Sequence, residues 1–209
     1  MARRQIESLF LDGPAGRIEA IIEEPAGAAP SEAVLVCHPH PLGGGTMHNK
    51  VVYRMARALR SRGAVVLRFN FRGVHLSQGV HDDGRGETED ARAALSFLTA
   101  RYPGLPYTLA GFSFGSRVSV RLASTIDGVP PRRLILAGYP TVYRNHELLQ
   151  SLRIPRLFVH STNDEFGPKT ELQSLYDRLW HPKQLLWIEA TDHFFADALD
   201  AFEHAVSGL

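Results

Sequence analysis

The chain predicts the α/β class: a mainly parallel central sheet with antiparallel N-terminal strands and helices on both faces. Most candidate strands are continuous apolar runs, such as Ala33-Val-Leu-Val-Cys37 and Arg133-Leu-Ile-Leu-Ala137, the signature of strands buried on both sides. Segments with apolar residues at helical spacing alternate with those runs, as strand–helix–strand crossovers require. The first two strand-like segments are separated only by Asp12-Gly-Pro-Ala-Gly16, which reads as a hairpin-like start.

In order, Ile6 to Leu11 and Arg17 to Glu23 form that start, and Pro25 to Pro30 is a loop. Ala33 to Cys37 is a strand ending at His38-Pro39-His40-Pro41. A helix follows over Lys50 to Arg62, with Val51, Met55, Ala58 and Leu59 at helical spacing. Ala64 to Asn70 is β-rich and leads through a glycine-containing loop to about Gly86 and a helix over Glu87 to Ala100. Strand Tyr107 to Ala110 precedes a helical pattern from Ser116 to Ile126. Strands Arg133 to Ala137 and Arg156 to His160, a helix near Lys169 to Trp180, strand Gln184 to Ile188 and a last helix from about Phe194 to Val206 complete the order. No repeat interrupts it, and 209 residues with 44% hydrophobic content can bury one substantial core, so residues 1–209 are expected to form a single domain.

The net charge is +1, from 23 basic and 22 acidic residues without a long block of either sign, which argues against a nucleic-acid partner. Met1-Ala-Arg-Arg-Gln5 opens with positive charge, yet Ile6 to Asp12 lack the apolar stretch of a signal peptide. No run approaches the length of a membrane-spanning helix. A single Cys37 excludes an internal disulfide framework and fits a reducing compartment. A soluble, cytoplasmic protein is expected, without a membrane partner and with a homodimer as an open option.

Gly111-Phe112-Ser113-Phe114-Gly115 carries the most chemistry. A Gly-x-Ser-x-Gly sequence between a strand and a helix is a nucleophile elbow, whose tight turn needs glycine at its flanks and lifts the serine hydroxyl above the sheet. A serine hydroxyl attacks only when a neighbouring base takes its proton, usually a histidine oriented by a carboxylate. In this architecture those partners follow the serine in the order acid, then histidine. Asp164, after strand Arg156 to His160, and His193, after strand Gln184 to Ile188, fit that order. Glu165 and Asp192 are competing carboxylates. Each member also has a plainer role open to it: Ser113 and Asp164 as helix caps, His193 as an ordinary core or surface histidine.

An oxyanion formed during acyl transfer needs prearranged donors. One candidate is the Phe114 backbone N–H. The second should come from the loop after Cys37, where Pro39 and Pro41 have no N–H, leaving His40 or a residue from Leu42 onward; the His40 backbone is preferred.

Together these segments resemble the small, lidless α/β-hydrolase superfamily proteins of bacterial type. The resemblance rests on His38-Pro-His-Pro41 with Gly44-Gly-Thr-Met47 and Asn49-Lys-Val-Val52, on Leu67-Arg-Phe-Asn-Phe-Arg-Gly73, on Gly111 to Gly115, and on Asp192-His-Phe-Phe195. It spans nearly the whole chain and implies an α/β-hydrolase fold with Ser113, Asp164 and His193 as triad. The chain departs from the group at His48, His75 and Ser161, where Asp, Gly and Gly are common, which bears on substrate preference more than on chemistry.

Fewer than twenty residues, Gly138 to Pro155, separate the strands where related enzymes insert a lid, so no cap domain is expected. The open site would be walled by side chains such as Leu42, Met47, Val74, Phe112, Phe114, Tyr139, Phe166 and Phe194. Leu42, Met47, Arg72 and Tyr139 are the substrate-binding candidates. For Arg72, a bidentate clamp on a substrate carboxylate or phosphate competes with the simpler reading of an ion pair to Asp90 or Glu87. His38, His40, His48 and His75 lack a ligand spacing, so no metal and no cofactor is expected. The expected partner is a small-molecule acyl substrate: a carboxylic ester first, a thioester or acyl-peptide second, with a noncatalytic binding protein as the alternative from a different class.

Overall fold

The computed structural model describes residues 5–143 and 145–208. Strands β1 (Ile6–Gly13) and β2 (Gly16–Glu23) form the antiparallel hairpin, closing at Gly13 and Gly16. Then follow β3 (Glu32–Cys37), a 3-10 turn (Pro41–Gly43), α1 (Lys50–Ser61), β4 (Ala64–Phe69), α2 (Arg85–Arg101), β5 (Tyr107–Phe112) and α3 (Phe114–Ser124). The chain continues through β6 (Arg133–Ala137), α4 (Glu147–Ser151), β7 (Arg156–Ser161), α5 (Lys169–Asp177), β8 (Lys183–Ile188) and α6 (Leu199–Ser207).

The eight strands form one sheet in the order β1-β2-β4-β3-β5-β6-β7-β8, antiparallel from β1 to β4 and parallel from β4 onward. Period-two alternation divides the core between its faces. Val34, Val36, Val66, Ile135 and Val159 pack with Met55 and Leu59 of α1 and Phe202 and Val206 of α6. Leu35, Leu67, Leu109, Leu136 and Phe158 pack with Leu98 of α2, Val118 and Leu122 of α3 and Leu172 of α5. From β3 the chain turns to β4 on one side and later returns to β5 on the other. The crevice beyond the carboxyl ends of β3 and β5 is thus the switch point where such sheets place their sites.

Helix boundaries depart from expectation where side chains bond the backbone. α2 starts at Arg85 because the buried Glu87 carboxylate accepts the Asp82 and Gly84 amides ahead of it. The last helix starts at Leu199 instead of Phe194. Asp192 Oδ1 accepts the Phe194 and Ala196 amides, and Phe195 and Asp197 adopt positive φ of 55° and 62°, which holds residues 193–198 in turns. α4 occupies five residues of the segment expected to lack a lid. Among the described residues no helix is long and apolar enough to cross a membrane.

Candidate active site

Ser113 is the single residue between β5 and α3 and is held at φ 56°, ψ −122°, a region costing a non-glycine residue on the order of 1–3 kcal/mol. Three hydrogen bonds fix it there. Its N–H donates to Ala137 O (2.9 Å), and its carbonyl accepts from the Ser116 amide (2.9 Å) and hydroxyl (2.6 Å). Both flanking glycines are required by close approach: a Cβ on Gly111 would lie 2.3 Å from the Gly115 backbone, and one on Gly115 2.3 Å from Cys37 O. The helix is thereby pressed onto the ends of β5 and β3.

His193 follows β8 in the turn described above and is 1% exposed. Its Nδ1 lies 2.7 Å from Asp164 Oδ2. Its ring stacks on Phe112, the residue before Ser113, with centroids 4.8 Å apart, and Phe166 flanks it at 4.8 Å. Nε2 is buried and has no hydrogen-bond partner among the described residues, so the Ser113–His193 hydrogen bond is not formed here; such contacts often close only with substrate present.

Asp164 is 3% exposed and fully engaged. Oδ1 accepts the Phe166 and Gly167 amides at 2.8 and 2.9 Å, and Oδ2 meets His193 Nδ1 and, at 3.3 Å, His160 Nε2. Burial pushes the Asp164 carboxyl upward, but the His193 hydrogen bond, the charges of His160 and His193 and the Phe166 amide outweigh it. The pKa settles below the ordinary value. An ionised Asp164 can only accept, so His193 Nδ1 carries the hydrogen and Nε2 is left as a proton acceptor. His160 Nε2 also donates to Gly167 O (2.7 Å), and burial holds its pKa below the ordinary histidine value.

The competing carboxylates are otherwise occupied. Glu165 Oε2 accepts the His193 backbone N–H (3.0 Å), and Asp192 caps the following turn. The support from Glu165 and the second histidine on Asp164 escaped sequence reasoning; a histidine four residues before the acid, at a strand end, was the available signal.

Phe114 is the first residue of α3, where a helix leaves its N–H groups without intrahelical acceptors. The His40 and Phe114 rings pack at 4.9 Å. In the loop after β3 the Leu42 amide donates to His40 Nδ1, those of Gly43 and Gly45 to His40 O, and that of Gly44 to Pro41 O. His40 N–H has no acceptor among the described residues, which leaves it as the free backbone donor over this stretch. His38 is structural: Nδ1 donates to Pro39 O (2.6 Å) and Nε2 accepts the Phe71 amide (3.0 Å). Burial pushes its pKa down to about 3.

The four substrate-binding candidates separate. Leu42 is 77% exposed. Met47 is buried in the core, its amide and carbonyl held by Asn70 and Arg68 of the β4 segment. The Arg72 guanidinium is engaged in the Asp90 pair, with Nε and Nη2 at 3.0 and 2.8 Å from the two carboxylate oxygens, and is therefore not free to clamp a substrate. Tyr139 is buried and its hydroxyl lies 3.3 Å from His146 Nδ1, while Phe166 and Phe194 stand half-exposed beside His193.

A family model described as an alpha/beta hydrolase domain matches residues 31–201. An uncharacterised protein of Rickettsia prowazekii (strain Madrid E) is 35% identical over 95% of this chain and 86% of its own length. A serine hydrolase without a lid from Xanthomonas campestris is 34% identical with a TM-score of 0.89, covering 98% of this chain and 93% of that one. An alpha-beta serine hydrolase homologue from Coxiella burnetii is 35% identical with a TM-score of 0.91, covering 97% and 96%. With the fold, the elbow and these relatives in agreement, the chain belongs to the alpha/beta hydrolase family, in its lidless bacterial branch.

Proposed function

We infer that the protein cleaves a carboxylic ester through an acyl-enzyme on Ser113. The observation carrying this reading is the His193–Asp164 hydrogen bond, which leaves a buried Nε2, without a partner among the described residues, at the carboxyl end of the sheet that also presents Ser113 on a strained turn. Ser113 Oγ attacks the ester carbonyl as His193 Nε2 takes its proton. Asp164 stabilises the imidazolium, and the Phe114 and His40 amides receive the oxyanion. Collapse of the tetrahedral intermediate expels the alcohol, protonated by His193. A water then enters, is deprotonated by the same nitrogen, and releases the acid. Among the described residues the five-residue α4 is the one helix between β6 and β7, which supports an open site, better suited to a short acyl group than to a long lipid chain.

The test is hydrolysis of p-nitrophenyl esters of increasing acyl length, with a nitrophenol burst equal to the enzyme concentration if the acyl-enzyme accumulates. Turnover abolished in Ser113→Ala supports the reading. A folded wild-type protein inert toward esters, thioesters and aminoacyl amides would favour a binding protein on a hydrolase scaffold.

A further inference from the structure

A cleft of about 90 Å³ lies along α3, between α4 and the turn at Asp83. Phe114, the residue after Ser113, lines it with Tyr139, as do Arg117 and Arg121, one and two turns further along the same helix side. Among the described residues neither arginine has a carboxylate within ion-pair distance, whereas neighbouring Arg72, Arg85 and Arg92 each hold one. Arg117 donates to Tyr143 O at 3.2 Å and lies over the Tyr143 ring, which fixes its direction without neutralising it. Asp83 is the one carboxylate among the described lining residues; its side chain is 92% exposed, 3.5 Å from His81. Arg121 also borders a wider cleft of about 450 Å³ shared with Arg72 and Arg85, whose charges are already paired.

We propose that Arg117 and Arg121 form an anion subsite, and that the substrate is a linear acyl ester or thioester carrying a carboxylate or phosphate away from the scissile bond. The proposal rests on the serine-hydrolase reading above. Eight residues separate Ser113 from Arg121, about 12 Å along a helix, which sets the spacing between reacting carbonyl and anion. The volume is far below the roughly 300–1,000 Å³ of sites for bulky ligands, which favours a slender linear chain, with Leu148 of α4 among the lining residues. A guanidinium presents paired donors matched to carboxylate or phosphate oxygens, and one that holds no carboxylate among the described residues meets an anion without breaking an ion pair there.

The experiment compares kcat/KM within two pairs. One is the p-nitrophenyl monoester of a linear dicarboxylic acid against the ester of the unbranched monoacid of equal length. The other is an acyl thioester of phosphopantetheine against that of pantetheine. A preference of about tenfold or more for the anionic member of either pair is expected, carried mainly by KM, reduced by added salt, and lost in the double variant Arg117→Gln, Arg121→Gln. The first pair responding places the anion on the acyl chain, the second on the leaving arm. Cleavage of both neutral members without a charge preference in either pair, or a preference surviving in the double variant, overturns the subsite and leaves the triad reading standing. No cleavage of any member by folded wild-type protein overturns the hydrolase reading and the subsite with it.

Discussion

Acid should destabilise this protein through His38 before it touches the carboxylates. The buried ring uses both nitrogens as a neutral imidazole, and its pKa in the folded state is about 3 against an ordinary 6.5. Between those values the unfolded chain binds a proton that the folded chain refuses, so folding stability is fully present above 6.5 and declines as pH falls toward 3. Each unit inside that window is worth ~1.4 kcal/mol. From pH 7 to pH 5, with the first half-unit outside it, the His38 contribution is about 2 kcal/mol. His160, also held below its ordinary value by burial, adds a loss of the same sign, while Asp164 loses its contribution only at lower pH, within and below the ordinary carboxylate range. Urea unfolding of wild type and His38→Gln at both pH values isolates the effect. The glutamine starts less stable, since one bond is lost, but its decline from pH 7 to 5 should be smaller than wild type by about 2 kcal/mol. An equal decline in both proteins would refute the assignment of a neutral, proton-excluding His38.

Asp164→Asn should leave folding intact and lower turnover by roughly 10³–10⁴, because an amide stabilises neither the required His193 tautomer nor the imidazolium; ester kinetics showing unchanged turnover would move the acid role to Glu165 or Asp192. His40→Ala removes an acceptor for the Leu42 amide but keeps the backbone donor, so its kcat should stay well above the roughly 10²–10³-fold loss expected for a deleted oxyanion donor. A loss as deep as that of Ser113→Ala would show that the imidazole takes part. Asp90→Ala strands the largely buried Arg72 charge and should cost about 3–5 kcal/mol of stability in denaturant unfolding, with a small effect identifying the pair as dispensable.

The strands were legible because burial on both sheet faces leaves an uninterrupted apolar run, as in β3 and β6. The hairpin start was legible because Gly13 to Gly16 leaves no room for a crossover. The placement of Ser113 on a strand-to-helix turn and of Asp164 and His193 in the segments after β7 and β8 was legible from glycine spacing and from the apolar strand runs, both properties of the local chain. Features set by distant partners were not legible. Phe194 reads as the start of the last helix until the Asp192 cap and the left-handed Phe195 interpose a turn. Met47 reads as a site wall, yet contacts from Asn70 and Arg68, more than twenty residues away, draw it into the core. The four-residue spacing of His160 and Asp164 was a local signal, but that the two share a contact depends on the turn after β7, and the lack of a carboxylate partner for Arg117 and Arg121 among the described residues depends on which acids the fold leaves out of reach.

The central claim is that Ser113 is an activated nucleophile, and the most direct measurement is intact-mass and peptide-mapping analysis after brief exposure to a fluorophosphonate. One adduct per chain is expected, on Ser113, absent in Ser113→Ala and formed much more slowly in His193→Ala. A folded protein that stays unmodified, or one modified at another residue while Ser113 remains free, would contradict the account.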